Sequence, residues 1–118
     1  MMRRVLRSRV RNAHVTATWT DGATSLKLDP LVMRAADLIA FEEVELVNVA
    51  TGHRWQTYVE EGAPGEVRVH AASQQPTRSG DVVEIASWGL LHDGQTLAHR
   101  VKLVDLDAAN QVVSLAES

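Results

Sequence analysis

Residues 42–60, EEVELVNVATGHRWQTYVE, read as two extended runs around a turn. The first run, EEVELVNVAT, alternates apolar and polar positions over most of its length, as a half-buried strand does. The second, HRWQTYVE, puts Arg54, Gln56 and Tyr58 on one strand face and Trp55, Thr57 and Val59 on the other. Between them ATGHR is a hairpin signal centred on Thr51 and Gly52. A fold built around this unit is mainly β.

Working outward, the same texture continues. RRVLRSRVRN (3–12) and HVTATW (14–19) precede the hairpin, and EVRVHAA (66–72), DVVEIASW (81–88), HRVKLVDL (99–106) and NQVVSL (110–115) follow it. Many short strands with close turn signals predict a sandwich or barrel. One helix interrupts them at DPLVMRAADLI (29–39), where Asp29 suits the N-cap and Pro30 the first helical position. Leu31, Ala35 and Leu38 fall on one helical face, the expected buried stripe. EEGAPGE (60–66) and SQQPTRSGD (73–81) read as loops from their Gly, Pro and Ser content. The expectation is one small β-barrel domain with a single short helix, spanning 1–118.

Composition narrows the function classes. A chain of 118 residues has room for one core, and 45% apolar with 23% charged residues is the balance of an ordinary soluble domain. The net charge of −3 makes no general case for nucleic acid, and 4% aromatic residues leave few platforms for bases to stack on. Having no cysteine excludes disulfides, thiolate metal sites and cysteine nucleophiles together. The opening MMRRVLRSRVRNAHV is basic but lacks the apolar core of a secretory signal, and no run approaches the roughly 18 apolar residues of a membrane span. A cytoplasmic protein with no membrane contact is expected.

Residue chemistry alone leaves several readings open. Ser25 exits a turn, Asp21-Gly22-Ala23-Thr24, with no Gly-x-Ser-x-Gly elbow around it, so local backbone bonding is the plain reading. Histidines 14, 53, 70, 92 and 99 have no helical pairing and no carboxylate cluster, which predicts no metal site; His70 reads as a partly buried or edge-strand residue. Arg7, Arg9 and Arg11 share a face of an ideal strand, either a solvated edge or an anion site. Arg54 has the chemistry to hold a carboxylate and Tyr58 to move a proton, while both also suit a half-exposed hairpin.

Together these pieces resemble the pyruvoyl-dependent aspartate 1-decarboxylases. The resemblance runs from the Arg-rich opening through Ser25 and LDPLVMRAADL to SGDVVEIASW, and NVATGHRWQTY matches the family's Asn-Val-x-x-Gly-x-Arg-x-x-Thr-Tyr pattern. It implies a double-psi β-barrel, a homotetramer with active sites between subunits, and self-cleavage between Thr24 and Ser25. The fragments would be 1–24 and 25–118, the second beginning with a pyruvoyl group made from Ser25 and needing no metal. That ketone would form a Schiff base with the amine of aspartate, giving β-alanine and carbon dioxide for pantothenate synthesis.

By the same resemblance Tyr58 is the proton donor, and Thr57 binds substrate and assists cleavage. Arg54 grips a carboxylate, Arg9 stands where lysine is usual, and Ala71, Ala72 and Ser73 form a substrate-contacting loop. A maturation partner is a further expectation for some chains of this kind. This sequence departs from the pattern at Thr24 (usually glycine), Val47 (tryptophan), Arg11 (histidine), His70 (asparagine) and Ala71 (glycine), and its 60–66 loop is short. A positive φ at Thr24 would strain a β-branched residue by about 1–2 kcal/mol. The alternatives are a divergent paralogue, unprocessed and binding a ligand or partner or else decarboxylating another amino acid, and an unrelated barrel that binds through its arginine face.

Overall fold

The computed structural model describes residues 1–20, 22, 24–70 and 77–118. Its strands are β1 (Met2–His14), β2 (Ala17–Trp19), β3 (Leu26–Leu28), β4 (Glu43–Asn48), β5 (Arg54–Glu61), β6 (Val67–His70), β7 (Val82–His92), β8 (Lys102–Leu106) and β9 (Val112–Glu117). Helix α1 (Pro30–Ala36) follows β3, and a 3₁₀ segment (Asp93–Ala98) follows β7. The strands join in the order β2-β6-β3-β5-β4-β7-β1-β8-β9. β1–β8, β2–β6 and β3–β5 are parallel, and the other pairs antiparallel. Curled around one core with this crossing connectivity, the sheet is the expected double-psi β-barrel.

Alternation explains the core. Val44 and Leu46 of β4, Val59 of β5, Val83 and Ile85 of β7, and Val10 of β1 turn inward and are buried, with Leu26 and Leu28 of β3. Each such side chain contributes about 1.5–3 kcal/mol relative to exposure. The hairpin turn is held by Asn48, which is buried. Its Oδ1 accepts from the Ala50 N–H (3.0 Å), its carbonyl accepts from Gly52 (2.8 Å), and its Nδ2 donates to Asp81 (3.1 Å). Gly52 takes φ 75, a conformation that favours glycine. Asn and Gly in NVATGH are therefore structural requirements of the hairpin.

Three expectations are corrected. The helix is capped as expected by Asp29, whose Oδ1 accepts from Leu31 N–H (2.8 Å). Of the expected stripe Leu38 is buried and Ala35 packs against the core, but Leu31 is 58% exposed, and Val32, Met33 and Ala36 are the helix's buried residues. Asp29 Oδ2 also accepts from Gly65 N–H (2.8 Å), tying the helix start to the 60–66 segment. Second, β1 is no edge: it lies between β7 and β8, and an irregularity between Leu6 and Ser8 takes Arg7 out of the face shared by Arg9 and Arg11. Third, Glu60 and Glu61 are strand, not loop, because pairing with Lys27 and Leu28 of β3 prolongs β5. Among the described residues no helix is long and apolar enough to cross a membrane.

Candidate active site

Ser25 immediately precedes β3, and β3 runs parallel to the end of β5. That pairing fully buries the serine. Its hydroxyl donates to Glu60 Oε2 at 2.6 Å. Lys27, opposite Glu60 in the register, places its Nζ 2.9 Å from the same oxygen. The Ser25 bond and then the Lys27 bond hold the Glu60 carboxyl below its ordinary value. One residue back, the carbonyl oxygen of Thr24 accepts a hydrogen bond from Thr57 Oγ1. The two atoms needed for attack on a peptide bond, a hydroxyl and its preceding carbonyl, thus each have a dedicated partner.

The hinge takes its left-handed turn at Gly22, φ 80, and Thr24 is not among the residues of positive φ. The strain expected from a positive φ at Thr24 is therefore not found. A cleft of about 520 Å³ opens here, lined by Thr24, Phe41, Glu43, Gln56, Thr57 and Tyr58. Thr57 and Tyr58 point to opposite sides of β5, buried and half-buried respectively, yet both border this cleft. The Tyr58 ring packs against Phe41 with centroids 6.1 Å apart.

Arg9 and Arg54 lie elsewhere, in a second cleft of about 250 Å³ with Val47, Glu45, Glu84 and Trp88. Arg54 Nη1 donates to Glu45 at 3.2 Å, and its side chain is 65% exposed. Arg9 donates to Glu84 through Nε (3.0 Å) and Nη2 (2.5 Å). Arg11 is engaged by Asp105 of β8 at 2.7 and 3.0 Å, and that arginine bond lowers the Asp105 carboxyl below its ordinary range. Arg7 reaches Glu42 (2.5 Å), Ser87 (3.0 Å) and Asp37 (3.1 Å). Burial raises the proton affinity of Glu42, but bonds from Ser87, the Ile39 N–H and Arg7 outweigh it, and the net shift is downward. The arginine face is thus neither a bare edge nor a bare anion site, because each arginine already has an acidic partner.

A family model described as Aspartate decarboxylase matches residues 1–113 of the 118. The chain belongs to the aspartate decarboxylase family. Relatives cover nearly all of it. Aspartate 1-decarboxylase of Shouchella clausii is 32% identical over 117 residues, covering 98% of this chain and 92% of its own. That of Persephonella marina is 34% identical over 114 residues (95% and 81%), and that of Listeria monocytogenes 31% over 114 (95% and 90%).

Within the family frame, the sequence departures fall in different places. Val47 borders the arginine cleft, Arg11 sits in its ion pair, and His70 ends β6 half-buried with its ring edge-on to Trp19 at 5.9 Å. Ala71, Ala72 and Ser73 lie outside the described residues. Among the described residues no three His, Asp or Glu side chains are grouped to hold a metal. Sequence reading missed Glu60 and Lys27 at the hinge. Their adjacency is visible only once β3 is known to pair with β5.

Proposed function

We propose that this protein is a pyruvoyl-dependent aspartate 1-decarboxylase that forms its prosthetic group by cutting itself between Thr24 and Ser25, yielding fragments 1–24 and 25–118. The observation that carries this reading is the buried Ser25 hydroxyl beside a Thr24 carbonyl that Thr57 engages, in a chain of this family. The residues present fit a pyruvoyl group at position 25: the serine that supplies it is at the mouth of β3, and the adjoining cleft of about 520 Å³ has room for a small amino acid. Once formed, that group supplies an electron-accepting ketone for the pair left when carbon dioxide departs.

The chain's own residues do the rest. Thr57 steadies the developing charge on the Thr24 oxygen during cleavage, as an oxyanion donor does. Tyr58, bordering the same cleft, delivers a proton from its phenol to the substrate carbon that loses the carboxylate. Arg54, assisted by Arg9, holds the remaining carboxylate of aspartate by charge-assisted hydrogen bonds. The loop residues Ala71, Ala72 and Ser73 are assigned backbone contacts to substrate by family resemblance alone. Because Arg9 and Arg54 border a different cleft from Thr24 and Tyr58, the reading places the complete site between copies in a homotetramer. Exposed Phe41, in the hinge cleft, and exposed Ile39, two residues before it, supply apolar surface for such an assembly.

Intact-mass measurement of the purified chain tests this reading. Two fragments split before Ser25, the larger trapped by borohydride in the presence of aspartate, and β-alanine formed, are the expected results. A single uncleaved species after prolonged incubation, alone and with a candidate maturation partner, would replace it with an unprocessed binding protein. Val47 in the arginine cleft favours one variant of the reading, a substrate bulkier than aspartate, and competition between amino acids decides it.

A further inference from the structure

A serine hydroxyl is a poor nucleophile at neutral pH unless a neighbour takes its proton. Self-cleavage therefore raises the question of where the proton of Ser25 goes. Ser25 is fully buried, so bulk water is not in contact with it. Its hydroxyl instead donates to Glu60 Oε2 at 2.6 Å, the length of a charge-assisted O–H···O⁻ bond. Lys27 Nζ lies 2.9 Å from that oxygen and Glu60 is the residue opposite Lys27 in the parallel register of β3 and β5. Next along β5, Glu61 is exposed, as a carboxylate serving only solubility would be.

We propose that Glu60 is the proton acceptor for the attack of Ser25 on its own main chain, with Lys27 positioning its carboxylate. The inference rests on the self-cleavage reading above and adds to it the group that activates the nucleophile. In the step, the Ser25 Oγ–H bond breaks and the proton passes to Glu60 Oε2 while Oγ bonds to the Thr24 carbonyl carbon. The carbonyl electron pair moves onto the Thr24 oxygen, toward which Thr57 donates. Collapse restores the carbonyl, breaks the bond between Thr24 carbon and Ser25 nitrogen, and returns the proton from Glu60 to that nitrogen. An amide has become an ester, with no co-reactant consumed. The nucleophile just before β3 and the acceptor and oxyanion donor on β5 are brought together by one pairing, β3 with β5.

The test follows the cleavage rate of the full chain by intact mass, with thermal melting as a control for folding. Glu60→Gln keeps size and hydrogen bonding but not the charge, and we expect it to cleave about 100-fold more slowly, the lower part of the range for general-base catalysis. Glu60→Asp retains a carboxylate and is expected to fall between Gln and wild type. Lys27→Met is expected to slow cleavage by a smaller factor. Cleavage of Glu60→Gln at the wild-type rate or faster overturns the inference while leaving self-cleavage intact. If Glu60→Gln does not fold, Lys27→Met decides, and an unchanged rate there overturns it. A wild-type chain that never cleaves overturns both this inference and the reading beneath it.

Discussion

The hinge end of β5 and its arginine end satisfy their polar groups in opposite ways. At the hinge, Ser25 is buried and Thr57 nearly so, and Ser25, Thr57 and Glu60 join in hydrogen bonds that pass from one strand to the next. At the other end, the Arg54 and Arg9 side chains are exposed and hold acidic partners, Glu45 and Glu84, across neighbouring strands. Arg54 and Tyr58 are four residues apart, roughly 13 Å at about 3.3 Å per extended residue. Aspartate is shorter than that span. The difference teaches that one chain holds the groups proposed for cleavage together, whereas the proposed grip on substrate needs a second surface. Buried partners suit a reaction that happens once, and exposed ion pairs, individually worth about 0–1 kcal/mol, exchange readily for a substrate carboxylate.

Five changes break or sharpen that contrast. The largest effect belongs to Ser25→Ala, for which we expect one full-length mass and no β-alanine, since the proposed attacking oxygen is gone. Next, Tyr58→Phe is expected to cleave normally and lose about 100-fold or more in kcat, the scale of a missing proton donor; turnover at the wild-type rate would remove Tyr58 from its proposed role. Arg54→Lys, at the arginine end, keeps the charge but loses the planar fork. Its cleavage should be unaffected while KM rises about tenfold, consistent with the roughly 1.5–3 kcal/mol of a charged hydrogen bond. Slower cleavage in this variant would erase the division between the two ends.

The fourth concerns acid. Glu42 has its folded proton affinity lowered from an ordinary value of 4.5. Its contribution to stability is therefore complete above pH 4.5 and is lost as pH falls through the lower folded value. Melting temperature measured down an acid series should drop over that window, and the drop should be shallower in Glu42→Gln. An identical slope in the two proteins would show that the Arg7–Glu42–Ser87 group does not govern acid stability. Smallest of all is Thr24→Gly. Thr24 is not in the left-handed region, so the change relieves no strain and should not hasten cleavage; a marked acceleration, read by intact mass, would place strain at Thr24 after all.

What the sequence by itself determined is the part governed by neighbours along the chain. Alternation located most of the strands and set Arg54, Gln56 and Tyr58 opposite Thr57 and Val59; Asp29 and Pro30 located the helix start; Thr51 and Gly52 marked the hairpin. The family resemblance singled out Ser25, Thr57 and Tyr58 as candidates; Thr57 and Tyr58 border one cleft with Thr24, and Ser25 is the buried residue that follows Thr24. Only the tertiary structure decided which helical stripe is buried, that Arg7 leaves the face of Arg9, and that Glu60 belongs to a strand. The last two depend on a partner distant in sequence: β7 for Arg7 and β3 for Glu60. Local periodicity carries no information about such pairings, because strand register is chosen by the surface a neighbour offers. Glu60 looked like a loop carboxylate for that reason, and the serine hydroxyl it accepts from lies 35 residues away along the chain.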